Sequence, residues 1–217
     1  MTEIQSRWQQ LQQRLPQGVN LLAVSKTQPA SAIRELAVCG QLDFGESRVQ
    51  EASPKQEALA DLTDLRWHFI GRLQANKVRA VVKAFSWIHS IDSMALAERS
   101  SRIALEEGLC PSVLFQVKLR ADPSKGGWDP QSLKEAWPVL RQLPGLNVSG
   151  LMTMAPLGLD SNARLDLFKD CRHLADELDL AQCSMGMSGD WPQAAAAGAT
   201  WVRVGSALFG ERPPVNS

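Results

Sequence analysis

Short strand-like segments, most of them apolar and bounded by turn residues, recur eight times along this chain, and the stretches between them carry apolar residues at helical spacing. Runs of that length, rich in branched side chains, read as buried strands. The first is Asn20-Leu21-Leu22-Ala23-Val24-Ser25-Lys26-Thr27, closed by Pro29. The second is Asp43-Phe44-Gly45-Glu46, and the others are expected at 67–70, 87–91, 113–119, 148–152, 183–187 and 201–204. Strands that alternate with helices and need no long linker make a parallel sheet with right-handed crossovers. A count of eight favours closure into a (β/α)8, TIM-type α/β barrel over an open sheet. Such barrels take roughly 200–250 residues as a unit. The 217 residues are therefore expected to form a single domain, 1–217.

The helical segments are read from the same spacing. Residues 3–15 put Ile4, Trp8, Leu11 and Leu15 on one face, an extra helix ahead of the barrel. Pro29 opens a helix that Gly40 ends, and others are expected over 49–60, 74–84, 161–179 and 192–198. Asp92 or Ser93 caps the helix after the fourth strand. Pro130 starts another, in which Pro138 should give a kink or an early stop.

Composition narrows the partners. Lysine plus arginine total 23, and so do aspartate plus glutamate. No overall field draws in nucleic acid or an acidic membrane surface. No apolar run approaches the ~18 residues of a membrane span, and the first residues lack the pattern of a secretory signal. Cys39, Cys110, Cys171 and Cys183 are too widely spaced for a metal or redox motif, which suits reduced thiols and a cytoplasmic location. Three scattered histidines, His68, His89 and His173, do not suggest a metal centre. The chain has no tyrosine, so no tyrosine base can come from it or from a second copy of it.

In a barrel of this kind the site lies at the carboxyl ends of the strands, with phosphate commonly held by the loops after strands seven and eight. Those loops read Met187-Ser188-Gly189-Asp190 and Arg203-Val204-Gly205-Ser206-Ala207. Glycine lets backbone N–H groups approach an anion, serine adds a hydroxyl, and each loop leads into a helical segment whose first N–H groups favour phosphate. Lys26 sits where the first strand ends. Desolvation there would favour a neutral, nucleophilic amine of the kind that forms Schiff bases. Arg203 points to the same side as Gly205 and can face a heteroaromatic nitrogen. A lysine, an anion site and a group at a ring nitrogen together suit pyridoxal 5′-phosphate (PLP). An arginine in the last role cannot accept a proton, which leaves the ring a weak electron sink.

These pieces resemble the YggS/PROSC family of PLP homeostasis proteins, from about Leu21 to Arg212. The matching motifs are Ala23-Val24-Ser25-Lys26-Thr27, Phe44-Gly45-Glu46 with Val49-Gln50-Glu51, and Trp67-His68-Phe69-Ile70-Gly71 with Leu73-Gln74 and Asn76-Lys77. They continue through His89-Ser90-Ile91-Asp92, Gly150-Leu151-Met152-Thr153-Met154, the 184–190 segment and the 202–210 segment. The resemblance implies a barrel like the N-terminal domain of alanine racemases (PLP fold type III), without a C-terminal β-domain. It implies that Lys26 holds the cofactor as an aldimine, that Ser188, Gly189, Gly205 and Ser206 hold its phosphate, and that Arg203 faces the pyridine nitrogen. Ser47 departs from the asparagine that many members carry.

Three functions follow for comparison. The first is a PLP carrier for cofactor homeostasis, without efficient catalysis, a monomer, with PLP-dependent apoenzymes as recipients. The second is a weak amino-acid racemase, which lacks a second base opposite the lysine. The third is a barrel enzyme for another phosphorylated metabolite. His68 and His89 read as satisfied strand residues before they read as bases, and Met152 and Met154 as barrel filling. The segment Lys125-Gly126-Gly127-Trp128 reads equally as a flap or as a solvated loop.

Overall fold

The computed structural model of the chain describes residues 1–210. The last residues of the family resemblance, up to Arg212, and of the expected 1–217 domain lie outside the described residues. Helix α1 (Glu3–Arg14) begins at a capping box, in which the Thr2 side chain and Gln5 exchange hydrogen bonds with each other's backbone. Leu11 buries its inner face. Strands β1 (Asn20–Val24), β2 (Asp43–Glu46), β3 (Arg66–Phe69) and β4 (Trp87–Ile91) alternate with α2 (Ala30–Val38), α3 (Val49–Ala58) and α4 (Val78–Ala84). The second half follows as α5 (Met94–Glu107), β5 (Ser112–Gln116), α6 (Pro130–Leu140), β6 (Asn147–Met152), α7 (Ser161–Glu177), β7 (Gln182–Met187), α8 (Trp191–Ala196), β8 (Trp201–Val204) and α9 (Ser206–Phe209).

The strands form a closed parallel barrel in chain order. Strand β8 returns to β1 in the register Leu21↔Val202 and Leu22↔Arg203. Alternation along each strand separates two interiors. Phe44 joins Ile33, Leu36, Ile88, Phe115, Leu151 and Phe168 in the apolar layer beneath the helices. Each such fully buried side chain contributes about 1.5–3 kcal/mol. Its neighbours on β2 face the lumen: Asp43 reaches His68, and a Cβ on Gly45 would stand 3.3 Å from Leu22 Cγ.

Three expectations shift. Helix α6 runs past Pro138 to Leu140, because the proline falls in the last turn and removes only one bond before the helix ends. Strand β5 stops at Gln116, since the next backbone groups pair with Trp128: Lys118 N–H donates to Trp128 O at 2.9 Å. The helix expected from residue 74 starts as a 3₁₀ turn, Ala75–Lys77, before α4.

Candidate functional site at the β7–β8–β1 sector of the barrel mouth

Strand β1 ends at Val24, so Lys26 lies in a turn two residues beyond it, half-buried and not enclosed as the strand reading implied. That turn is tied down from behind. Ser25 N–H donates to Gly45 O at 3.0 Å, and Ser25 Oγ donates to Glu46 Oε1 at 2.7 Å. Lys55 of α3 donates to Ser25 O at 2.9 Å, and to Glu46 Oε1 and Glu51 Oε1 at 2.8 Å each. Thr27, at φ 67, donates its N–H to the Glu51 carboxylate. A β-branched residue at positive φ is strained, and it persists because these bonds hold it. Burial pushes the Glu46 carboxyl up, only partly offset by Lys55 and Ser25. Burial acts the same way on Glu51, but hydrogen bonds from Lys55 and Thr27 outweigh it and hold that carboxyl low.

Arg203 is 5 % exposed and ties β8 to the middle of β7 and to the residue after β6. Its Nη1 donates to Ser184 O at 2.7 Å and Ser184 Oγ at 2.8 Å, and its Nη2 donates to Thr153 O at 2.8 Å. Among the described residues, no hydrogen bond takes up its Nε–H. Burial lowers its pKa to about 10, which leaves it cationic at neutral pH; the charge of Asp190 acts in the opposite sense.

The two loops meet over this arginine. Gly205 N–H and Ala207 N–H converge on Ser188 Oγ at 3.2 and 3.4 Å. Gly205 packs on β1, where a Cβ would meet Val24 O at 3.4 Å, whereas a Cβ on Gly189 would meet nothing within 4 Å. Ser206 is exposed at the first position of α9. Helices α8 and α9 have only six and four residues; Gly205 is the N-cap of α9 and Ala207 its second residue, so the two donors lie where the loop enters the first turn of α9. All six site residues read from sequence thus gather in one sector of the mouth.

Sequence reasoning missed what stands beneath Arg203. His89 Nδ1 is 3.0 Å from Ser184 Oγ, His89 Nε2 is 2.9 Å from His68 Nδ1, and His68 Nε2 is 3.0 Å from Asp43 Oδ1. Arg66 holds Asp43 with two bonds of 2.6 Å. Both histidines are wholly buried and bonded at both nitrogens, the satisfied reading. His68 stacks on Trp87 at 5.3 Å, with Trp201 at 5.0 Å. Burial pushes both imidazole pKa values down; Asp43 partly opposes this at His68, while His68 and Arg203 add to it at His89. The Asp43 carboxyl is raised by burial but lowered more by Arg66 and His68. The legible signal was Asp43 itself, a charged residue opening a buried strand.

Around the rim, Trp128 is not part of a solvated loop. Its indole donates to Ile91 O at 3.2 Å and its N–H to Gln116 O at 2.8 Å, while Lys125 Nζ donates to Ala155 O at 3.2 Å. The 125–128 segment is folded across the β4–β6 side of the mouth. Met152 is buried as filling and Met154 is half-buried. Ser47 lines a cavity of about 520 Å³ with Arg48, Arg72 and Lys77, beside the six residues and not among them.

Comparison with known proteins identifies the family and the fold. The family described as alanine racemase, N-terminal domain, matches residues 1–213. A pyridoxal phosphate homeostasis protein of Synechocystis is 48 % identical over 204 residues, 91 % of this chain and 94 % of that protein. One from Pseudomonas aeruginosa is 45 % identical over 202 residues, 92 % of this chain and 87 % of that protein. The structure of PipY from Synechococcus elongatus with PLP bound is 51 % identical, with a TM-score of 0.92 over 96 % of this chain and all of that one. A Clostridium difficile alanine racemase shares the fold at 15 % identity, with a TM-score of 0.80 over 98 % of this chain and 58 % of that one. This chain belongs to the pyridoxal phosphate homeostasis proteins, built on the alanine racemase N-terminal domain.

Proposed function

We propose that this protein binds PLP at the β7–β8–β1 sector and holds it for cofactor homeostasis without efficient catalysis. The observation that carries the reading is the convergence of Gly205 and Ala207 N–H groups on one oxygen above the buried Arg203, whose Nε–H meets no hydrogen-bond partner among the described residues. Two donors aimed at one oxygen, with open space at Gly189, fit a phosphate group. The relatives named for PLP homeostasis, and the PLP-bound PipY structure, support the same cofactor.

Bound PLP supplies an aldehyde carbon that condenses with an amine and a ring that withdraws electrons. The chain's own residues divide the work of holding it. Lys26 offers the amine from a turn fixed by Lys55 and Glu51. Ser188, Gly189, Gly205 and Ser206 would hold the phosphate, and Arg203 would donate to the ring nitrogen. A guanidinium has no proton-accepting site, so that nitrogen stays unprotonated and carbanion chemistry is weakly supported. No tyrosine among the 217 residues can serve as a base opposite Lys26, which leaves racemase-type activity slow. We also read the chain as a single-domain, cytoplasmic monomer that serves PLP-dependent apoenzymes.

The test is direct. Purified protein loaded with PLP should be yellow, borohydride should fix the cofactor's mass to the peptide containing Lys26, and Lys26→Ala should abolish both. An unmodified Lys26 peptide after loading would overturn the reading. Racemisation of any amino acid at ~1–10³ per second would overturn its non-catalytic part.

A further inference from the structure

The directions of the buried hydrogen bonds are set from both ends. Asp43, held by Arg66 through both carboxylate oxygens, can only accept, so His68 Nε2 carries the hydrogen of their 3.0 Å bond. A neutral His68 then has a bare Nδ1, and His89 Nε2 must donate to it. His89 Nδ1 is bare in turn and accepts from Ser184 Oγ. From the other end, Arg203 can only donate, and it donates to that same Ser184 oxygen. With both imidazoles neutral, the two fixed ends are compatible with one polarity only, and every intermediate group can satisfy it.

The geometry points to a proton lock: Arg203→Ser184→His89→His68→Asp43 is a one-way chain that keeps both imidazoles neutral with hydrogen on Nε2 and withholds interior protons from whatever Arg203 contacts. Ser184, His89 and His68 are positioning residues that act through Arg203. To hand a proton toward the mouth, the bonds of Ser184, His89 and His68 would all have to reverse and Asp43 would have to give up its role as acceptor. The wholly buried histidines, one of them between Trp87 and Trp201, have no solvent from which to take a substitute proton. This deepens the PLP reading and rests on it for the identity of the ligand above Arg203: a lock of this kind keeps the ring nitrogen unprotonated and so favours storage over turnover.

Long-range ¹H–¹⁵N spectra of the cofactor-free, ¹⁵N-labelled protein at neutral pH test the lock without reference to PLP. His68 and His89 should each show a protonated Nε2 and a bare Nδ1, with exposed His173 as the internal reference for a free imidazole. An Nδ1–H tautomer or an imidazolium at either buried site would overturn the lock. In Ser184→Ala the His89 Nδ1 resonance should move toward the free value. That variant, loaded with PLP, should lose about tenfold in affinity, the scale of one hydrogen bond to a charged group, and show a displaced visible band. An unchanged Nδ1 resonance, or unchanged affinity and band, would equally overturn it. If wild-type protein takes up no PLP while both tautomers are as stated, the PLP reading fails and the lock stands.

Discussion

Lys55 Nζ stands 2.8 Å from Glu46 Oε1, and the same ammonium donates to the Ser25 carbonyl at 2.9 Å, one residue ahead of Lys26. A buried ion pair thus fastens the turn that carries Lys26. Glu46 is wholly buried, and its Oε2 has no hydrogen-bond partner among the described residues, so Lys55 is its main compensation.

Removing one partner of such a pair leaves an uncompensated charge. Lys55→Met should therefore cost about 3–5 kcal/mol of stability in urea unfolding. Adding Glu46→Gln should recover part of that loss, because the stranded charge is then gone. A loss below about 1 kcal/mol, the range of an exposed pair, would show that the pair does not anchor the turn.

Gly189 separates binding from folding. A Cβ there meets nothing within 4 Å, and its backbone is not in the left-handed region. Gly189→Ala should leave stability within about 0.5 kcal/mol, as surface substitutions do. It should still weaken PLP, because the new methyl occupies space assigned to the phosphate. Gly71 gives the contrast: its Cβ would stand 2.1 Å from Ser47 O, so Gly71→Ala should destabilise the fold. Undiminished PLP affinity in Gly189→Ala would remove that glycine from the site.

Acid should weaken the fold well above the carboxylate range. His68 and His89 are depressed below their ordinary 6.5 by burial, so the unfolded chain binds protons there before the folded one does. Their stabilisation is complete above pH 6.5 and is lost as pH falls, by about 1.4 kcal/mol per pH unit for each histidine at most. Asp43, also depressed, contributes in the same direction in a lower window. Glu46 is raised, so the folded state takes its proton first and opposes the trend. It can cancel at most one proton against two. Unfolding free energies at pH 7.5 and 5.5 should differ by about 1–3 kcal/mol, the lower pH being the weaker; equal values would contradict neutral, buried imidazoles.

The barrel was legible because its cause is local. β2, β4 and β8 are short segments bounded by turn residues, and they begin and end where the sequence placed them. The Gly-Ser loops and Lys26 were legible because strand order alone assigns their end of the barrel. What lay beneath was not. Asp43, His68, His89 and Ser184 come from four strands and meet only after closure, and no spacing within one strand encodes contacts across a lumen. Lys55 was hidden for a related reason. It sits on a helix whose sequence reads as polar, and only the fold reveals that its ammonium is turned inward.

Arg203 combines two roles that substitutions can pull apart. Its guanidinium joins β7 to the end of β6 through Ser184 and Thr153, and its Nε–H is assigned to the cofactor. Arg203→Gln removes the charge and leaves one amide to serve three former acceptors, so cofactor-free stability should fall by about 1–3 kcal/mol. PLP affinity should fall by roughly ten- to a hundredfold, since hydrogen bonds to a charged group contribute about 1.5–3 kcal/mol each. Arg203→Lys keeps the charge but loses the planar fork, so it should restore more of the affinity than of the strand clamp. The measurement is the visible spectrum and affinity of each variant beside its unfolding curve. If Arg203→Gln bound PLP with wild-type affinity and an unshifted band, the arginine would be a strand clamp alone, and the ring nitrogen would need another partner.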